Sequence, residues 1–174
     1  MVVLSMKLDS LLEKILEAKE KRVSKQEGLI EKYHAPLLSL SINIPGMNKQ
    51  SDEAKFIFET TLDEIQKFPF KILEKIFTCN EAGYEAIFVF EAGARELKKF
   101  TCKVENTHPL GRFMDMDVIG LDKKSLSRKE LGFEGRKCFL CQQDAKVCAR
   151  SKAHSITELL AYISKSVNDY KTSL

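Results

Sequence analysis

The chain has 174 residues, 44% of them hydrophobic and 30% charged, which is enough apolar material for one sizeable core and too much for a disordered segment. Its 28 Lys+Arg against 25 Asp+Glu leave a net charge of +3, which excludes a strongly basic nucleic-acid binder. Five cysteines, an odd number, argue against a secreted disulfide framework, and no run of about 18 apolar residues suggests a membrane span.

The opening MVVLSMKLDSLLEK lacks the basic region, apolar block and cleavage site of a signal peptide, so a cytoplasmic protein with a single domain over residues 1–174 is expected. Leu8, Leu11, Leu12, Ile15 and Leu16 recur at helical spacing, and Gly28 is expected to interrupt or end a second helical stretch starting near Val23. Leu37–Ile44 reads as a strand running into a turn at Pro45–Gly46. Ser51 or Asp52 then caps a helix with Ala54, Phe58, Leu62 and Ile65 on one face.

Past Phe68–Pro69, the spacing of Ile72, Leu73 and Ile76 predicts a short helix. Tyr84–Glu91, rich in aromatic and β-branched residues, reads as a buried central strand. A helix carrying Leu97, Phe100 and Val104 follows, then a break at His108–Pro109 and a third strand over Phe113–Gly120. Ile156, Leu159, Leu160 and Ile163 mark a closing helix. This order predicts an α+β fold, with helices packed on a mixed sheet.

The passage THPLGRFMDMDVIG, Thr107–Gly120, places two carboxylates two residues apart in a strand, where side chains at i and i+2 share a face. Asp115 and Asp117 can therefore converge on one divalent cation while Met114, Met116 and Val118 face the core. Oxygen ligands suit Mg²⁺, which binds through one or two carboxylates together with substrate phosphates. Gly111 supplies a permissive turn just before them, and the Arg112 guanidinium can bind phosphate bidentately. His108 can contact a phosphate, act in proton transfer, or simply shape the strand entry.

Charge is uneven along the chain: residues 1–90 carry 12 Lys+Arg against 14 Asp+Glu, and residues 91–174 carry 16 against 11. Arg128, Arg136 and Arg150 belong to a basic stretch, 123–152, suited either to anion binding or to an ordinary solvated surface. Within it, Cys138, Cys141, Cys148 and His154 offer the donors of a Cys₃His Zn²⁺ site, or they are small buried hydrophobes. Cys79 and Cys102 stand apart and read as core residues.

Three passages resemble one family: HAPLLSLSINIPG (His34–Gly46), EAIFVFEAGARELK through HPLGRFMDMDVIG (Glu85–Gly120), and SLSRKELGFEGRKCFLCQQDAKVCARSKAHS (Ser125–Ser155). The family is the apo-citrate lyase phosphoribosyl-dephospho-CoA transferases, or holo-citrate lyase synthases. The resemblance implies a nucleotidyltransferase-like, Mg²⁺-dependent enzyme that moves a phosphoribosyl-dephospho-CoA group from triphosphoribosyl-dephospho-CoA to a serine of the citrate lyase acyl carrier protein, releasing pyrophosphate. For that reaction, the acid pair and its neighbours make Asp115, Asp117, Arg112 and His108 the candidate catalytic residues, and the turn and basic stretch make Gly111, Arg112, Arg128, Arg136 and Arg150 the candidates for binding the donor. Two other readings stand beside it, the same transfer onto a malonate decarboxylase carrier and a zinc-stabilised carrier-binding module without catalysis.

Overall fold

The computed structural model describes residues 2–174, with side chains from Ser10 onward. The elements, in chain order, are α1 (Val2–Tyr33), β1 (Leu37–Ile42), α2 (Asp52–Gln66), β2 (Lys71–Asn80), β3 (Gly83–Glu91), α3 (Ala94–Thr107), β4 (Met114–Ile119), α4 (Ala145–Ser151) and α5 (Ile156–Thr172). The four strands form one sheet in the order β2-β3-β1-β4. The α+β class holds, but the sheet is antiparallel throughout rather than mixed, because each neighbouring pair runs in opposite directions.

Both faces of the sheet are covered. Leu38 and Leu40 of β1, Phe88 and Phe90 of β3, and Met114, Met116 and Val118 of β4 pack against Ile57 and Ile65 of α2, Leu97 of α3, and Ile163 and Val167 of α5. On the other face, Leu37, Ile87 and Val89 meet Leu29 and Ile30 of α1. Strand alternation alone produces this division, since odd-numbered residues of β1 face α1 and even-numbered ones face the larger core.

Gly28 neither interrupts nor ends α1, which runs on to Tyr33. A mid-helix glycine costs about 1 kcal/mol relative to alanine, whereas burying Leu29 and Ile30 beside it returns about 1.5–3 kcal/mol each. Chain reversal comes instead at His34, in the left-handed region at φ 49°. The Leu8 side chain lies outside the described residues.

The segment predicted as a helix from Ile72, Leu73 and Ile76 is strand β2. A β-bulge between Ile72 and Glu74 explains the misleading periodicity. It adds one residue to the strand, so Leu73 and Ile76 both pack toward α1 although they are three apart. Cys79, expected in the core, is exposed on this edge strand, while Cys102 of α3 is buried.

The remaining helices start where their caps dictate. Ser51 accepts the Ala54 N–H at 3.2 Å to open α2. Ser155 and Glu158 form a reciprocal capping box at α5. Among the described residues, no helix is long and apolar enough to cross a membrane.

Candidate active site and cysteine cluster

β4 is an edge strand, and its sequence MDMDVI sorts into two faces as the alternation requires. Met114, Met116 and Val118 are fully buried, while Asp115 is half-buried and Asp117 exposed on the α1 side. Across the ladder, Ser41 pairs with Asp115 and Ser39 with Asp117, placing two hydroxyl residues of β1 on the same face as the acids. Ser39 accepts a hydrogen bond from Gln26 of α1 at 2.8 Å.

A cavity of about 290 Å³ opens at this end of the sheet, with Asp115, Ser41, Asn43 and Glu85 on its wall and Lys19, Arg22 and Lys49 supplying cations. Arg22 of α1 is ion-paired with Glu85 of β3. Burial lowers the Lys49 pKa, and the nearby Lys19 charge lowers it further. Lys49 donates to the Ile44 carbonyl, which fixes the ammonium near the end of β1.

The outward edge of β4 is closed by charged side chains from α3. Glu105 accepts the Met116 N–H at 3.0 Å, and Lys98 donates to the Met116 carbonyl at 3.1 Å. Both side chains are buried. Such an arrangement satisfies a free strand edge and puts two charges beside the acid pair. Lys98 Nζ also lies 4.0 Å from Asp117, and Ser125 donates to Asp117 at 3.4 Å.

Arg136 joins the two acids of neighbouring elements, donating to Asp115 at 2.8 Å and to Glu105 at 2.5 Å. Burial would lower its pKa, but the Glu105 and Asp115 charges outweigh that and raise it. For Glu105, burial wins and raises the pKa against the pull of Arg136, Lys98 and Arg128. Arg128 sits 3.6 Å from Glu105 and hydrogen-bonds Asn106 at 2.6 Å.

The other sequence candidates fall in distinct places. Arg112 is held in the same basic group by a 3.1 Å hydrogen bond to the Cys138 carbonyl. Burial lowers its pKa, with Arg136 and Arg128 adding repulsion. Gly111 is buried in a tight turn against the end of α3, where an added Cβ would lie 2.6 Å from the Val104 and Glu105 carbonyl oxygens. Its role is close backbone approach of this turn to the last turn of α3. Arg150 is exposed on α4, away from the acid pair's hydrogen bonds.

His108 is not brought to the acids. Its Nδ1 accepts the Leu110 N–H at 3.0 Å, and its Nε2 lies 3.2 Å from the Tyr170 hydroxyl of α5 and 4.0 Å from Glu64 of α2. These helices cover the opposite face of the sheet. Burial is the main reason its pKa is lowered.

Cys138, Cys141, Cys148 and His154 do converge, with all four donor atoms within 4.8 Å of one another. Reasoning from motifs missed Lys19, Arg22, Lys49, Ser41, Glu85, Lys98 and Glu105. For Ser41 a usable signal existed, because the alternation LLSLSI places Ser39 and Ser41 together on one face. No local pattern marked the others.

Asp115 and Asp117 thus share one strand face with Ser39 and Ser41, and Asp115 borders a cavity that also holds the cations Lys19, Arg22 and Lys49. Comparison with known proteins assigns the class: a transferase. The sequence model for apo-citrate lyase phosphoribosyl-dephospho-CoA transferases matches residues 10–170. A probable apo-citrate lyase phosphoribosyl-dephospho-CoA transferase of Vibrio cholerae serotype O1 is 37% identical over 164 residues, covering 91% of this chain and 92% of that protein. An apo-citrate lyase phosphoribosyl-dephospho-CoA transferase of Escherichia coli O1:K1 is 32% identical over 159 residues, covering 89% and 87%. The chain belongs to the apo-citrate lyase phosphoribosyl-dephospho-CoA transferase family.

Proposed function

We propose that this protein transfers the phosphoribosyl-dephospho-CoA group from triphosphoribosyl-dephospho-CoA to a serine of the citrate lyase acyl carrier protein in the cytoplasm, with Mg²⁺ held by Asp115 and Asp117. The observation that carries the reading is the placement of those two carboxylates on one face of β4, with Asp115 on the wall of a cavity also lined by Lys19, Arg22 and Lys49. In the reaction, the serine oxygen bonds to the α-phosphorus of the triphosphate as the bond to pyrophosphate breaks. The serine proton passes to solvent.

When bound, Mg²⁺ would offset the charge that develops on the phosphate oxygens. The chain's own residues do the rest. Lys19, Arg22 and Lys49 attract and orient the triphosphate, while Arg112 and Arg128 extend the positive field around β4. Arg136 holds the Asp115 carboxylate in place from one side, while Asp117 is exposed beside Ser125 and Lys98. His108 sets the turn that leads into β4 and takes no part in proton transfer in this reading.

The test is the intact mass of purified apo-carrier after incubation with this protein, Mg²⁺ and triphosphoribosyl-dephospho-CoA. A mass gain equal to the phosphoribosyl-dephospho-CoA group, with pyrophosphate released, supports the reading. No gain on a carrier that another synthase can load overturns it.

A further inference from the structure

We propose that Cys138, Cys141, Cys148 and His154 form a structural Zn²⁺ site that fastens the basic segment against β4. Three thiols and an imidazole are the donors of a closed tetrahedral zinc site, whose bond lengths of about 2.3 Å to sulfur and 2.0–2.1 Å to nitrogen set donors roughly 3.5–3.8 Å apart. Here Cys138 Sγ and Cys148 Sγ are 3.3 Å apart, and His154 Nε2 and Cys141 Sγ are 3.4 Å apart. With every donor pair within 4.8 Å, small side-chain adjustments suffice to close around one ion.

The local fold explains how an irregular spacing makes a regular site. Cys138 N–H donates to the Gln143 carbonyl at 2.8 Å, closing a tight loop that brings Cys141 back beside Cys138. Asp144 caps α4, which carries Cys148. At the other end of α4, Lys152 takes the left-handed conformation, and Ala153 N–H reaches the Cys148 carbonyl at 3.2 Å. This closure is a Schellman motif, and it turns the chain so that His154 returns to Cys141.

Neither a disulfide nor a redox pair matches this geometry as well. A disulfide between Cys138 and Cys148 would need their sulfurs at about 2.05 Å and would leave Cys141 and His154 facing each other without purpose. A redox Cys-x-x-C opens a helix, whereas α4 begins at Ala145, after both cysteines of the pair. Burial alone needs no imidazole, as isolated Cys102 in α3 illustrates. Three thiolates with Zn²⁺ carry a net negative charge, and Lys152, which lines one cavity with Cys138, Cys148 and His154, supplies a cation beside it.

The consequence reaches the acid pair. The Cys138 carbonyl receives Arg112, and Arg136, two residues before Cys138, clamps Asp115 and Glu105. The Ala145 N–H holds the Arg136 carbonyl at 2.9 Å. A metal at the cluster thus orders the segment that positions two arginines, without touching substrate.

The full chain, purified under reducing conditions without chelator, should contain an equimolar amount of zinc. Replacement by Co²⁺ should give a thiolate-to-metal charge-transfer band and tetrahedral ligand-field absorption, both kept in Cys79→Ser and much reduced in Cys141→Ser and His154→Ala. Zinc should protect three of the five cysteines from a thiol reagent. Cobalt bound at Asp115 and Asp117 would give no charge-transfer band. The proposal fails if the folded wild-type chain retains no zinc after gel filtration and all its thiols react equally with and without added zinc. These readouts do not depend on the transfer reaction, so failure of one reading is distinguishable from failure of the other.

Discussion

Glu105 of α3 accepts a hydrogen bond from the Met116 backbone N–H of β4 at 3.0 Å, and it does so from a buried position. An exposed strand edge invites pairing with other chains, and this contact removes that opportunity at the strand bearing the acid pair. Burial of the carboxylate is tolerated because Arg136, Lys98 and Arg128 surround it. The same group of charges therefore protects the edge and sets the field at Asp115 and Asp117.

That arrangement makes Glu105 costly to remove. Glu105→Ala should destabilise the fold by about 3–5 kcal/mol, because it leaves buried cationic groups and a strand N–H unpaired. Arg136→Ala should cost less, since its side chain is partly exposed, and the double variant should be less damaging than the sum. Urea denaturation of the two single variants and the double variant measures this coupling. Strict additivity would show that the two side chains do not act together.

Asp115→Asn and Asp117→Asn should each lower the carrier-loading rate at least about 100-fold, since loss of even an outer partner of a metal ligand costs 10–100-fold. Their melting temperatures should stay near wild type, because Asp117 is exposed and Asp115 faces a cavity. Rates at several Mg²⁺ concentrations separate the causes, as weakened metal binding is rescued partly by excess Mg²⁺. Near-normal rates in both variants would remove the metal assignment.

His108 gives a pH signature in stability rather than in catalysis. Its folded pKa is lowered from 6.5, with burial as the leading cause, so the unfolded chain binds this proton more readily. Its contribution should therefore be complete above 6.5 and decline as pH falls from 6.5 toward the depressed folded value. Denaturation midpoints of wild type and His108→Gln across this interval test the sign. An unchanged difference between the two proteins over the interval would contradict it.

Gly111→Ala tests close approach. The added methyl would sit 2.6 Å from two carbonyl oxygens of α3, a contact that backbone movement alone can relieve. Overpacking of this kind costs about 1–3 kcal/mol. A stability loss in that range by calorimetry, with carrier loading reduced because β4 shifts, is the expected outcome. Gly28→Ala, with open space around a mid-helix position, should stabilise the fold by about 0.4–1 kcal/mol.

Local pattern made much of this protein legible. Alternation in MDMDVI was enough to put Asp115 and Asp117 on one face and the methionines and Val118 on the other, and the structure agrees. Ser51 or Asp52 marked the start of α2, and Ser51 is the cap, because a hydroxyl acts on an amide only three residues away. The same short-range reasoning misread β2, where a bulge gives Leu73 and Ile76 a spacing that mimics a helix.

What the amino-acid sequence by itself determined were the features decided within a turn or a strand: the element types other than β2, the acid face and the four soft donors at residues 138–154. Tertiary structure alone decided the partners. Arg136 meets Asp115 across 21 residues and Glu105 across 31, while Arg22 meets Glu85 across 63. It also sent His108 to the face covered by α2 and α5, despite its place seven residues before Asp115. The physical reason is that periodicity states which way a side chain points relative to its neighbours in sequence. Which charge lies opposite depends on how whole elements pack, and here burial of two apolar faces on one sheet fixed that packing.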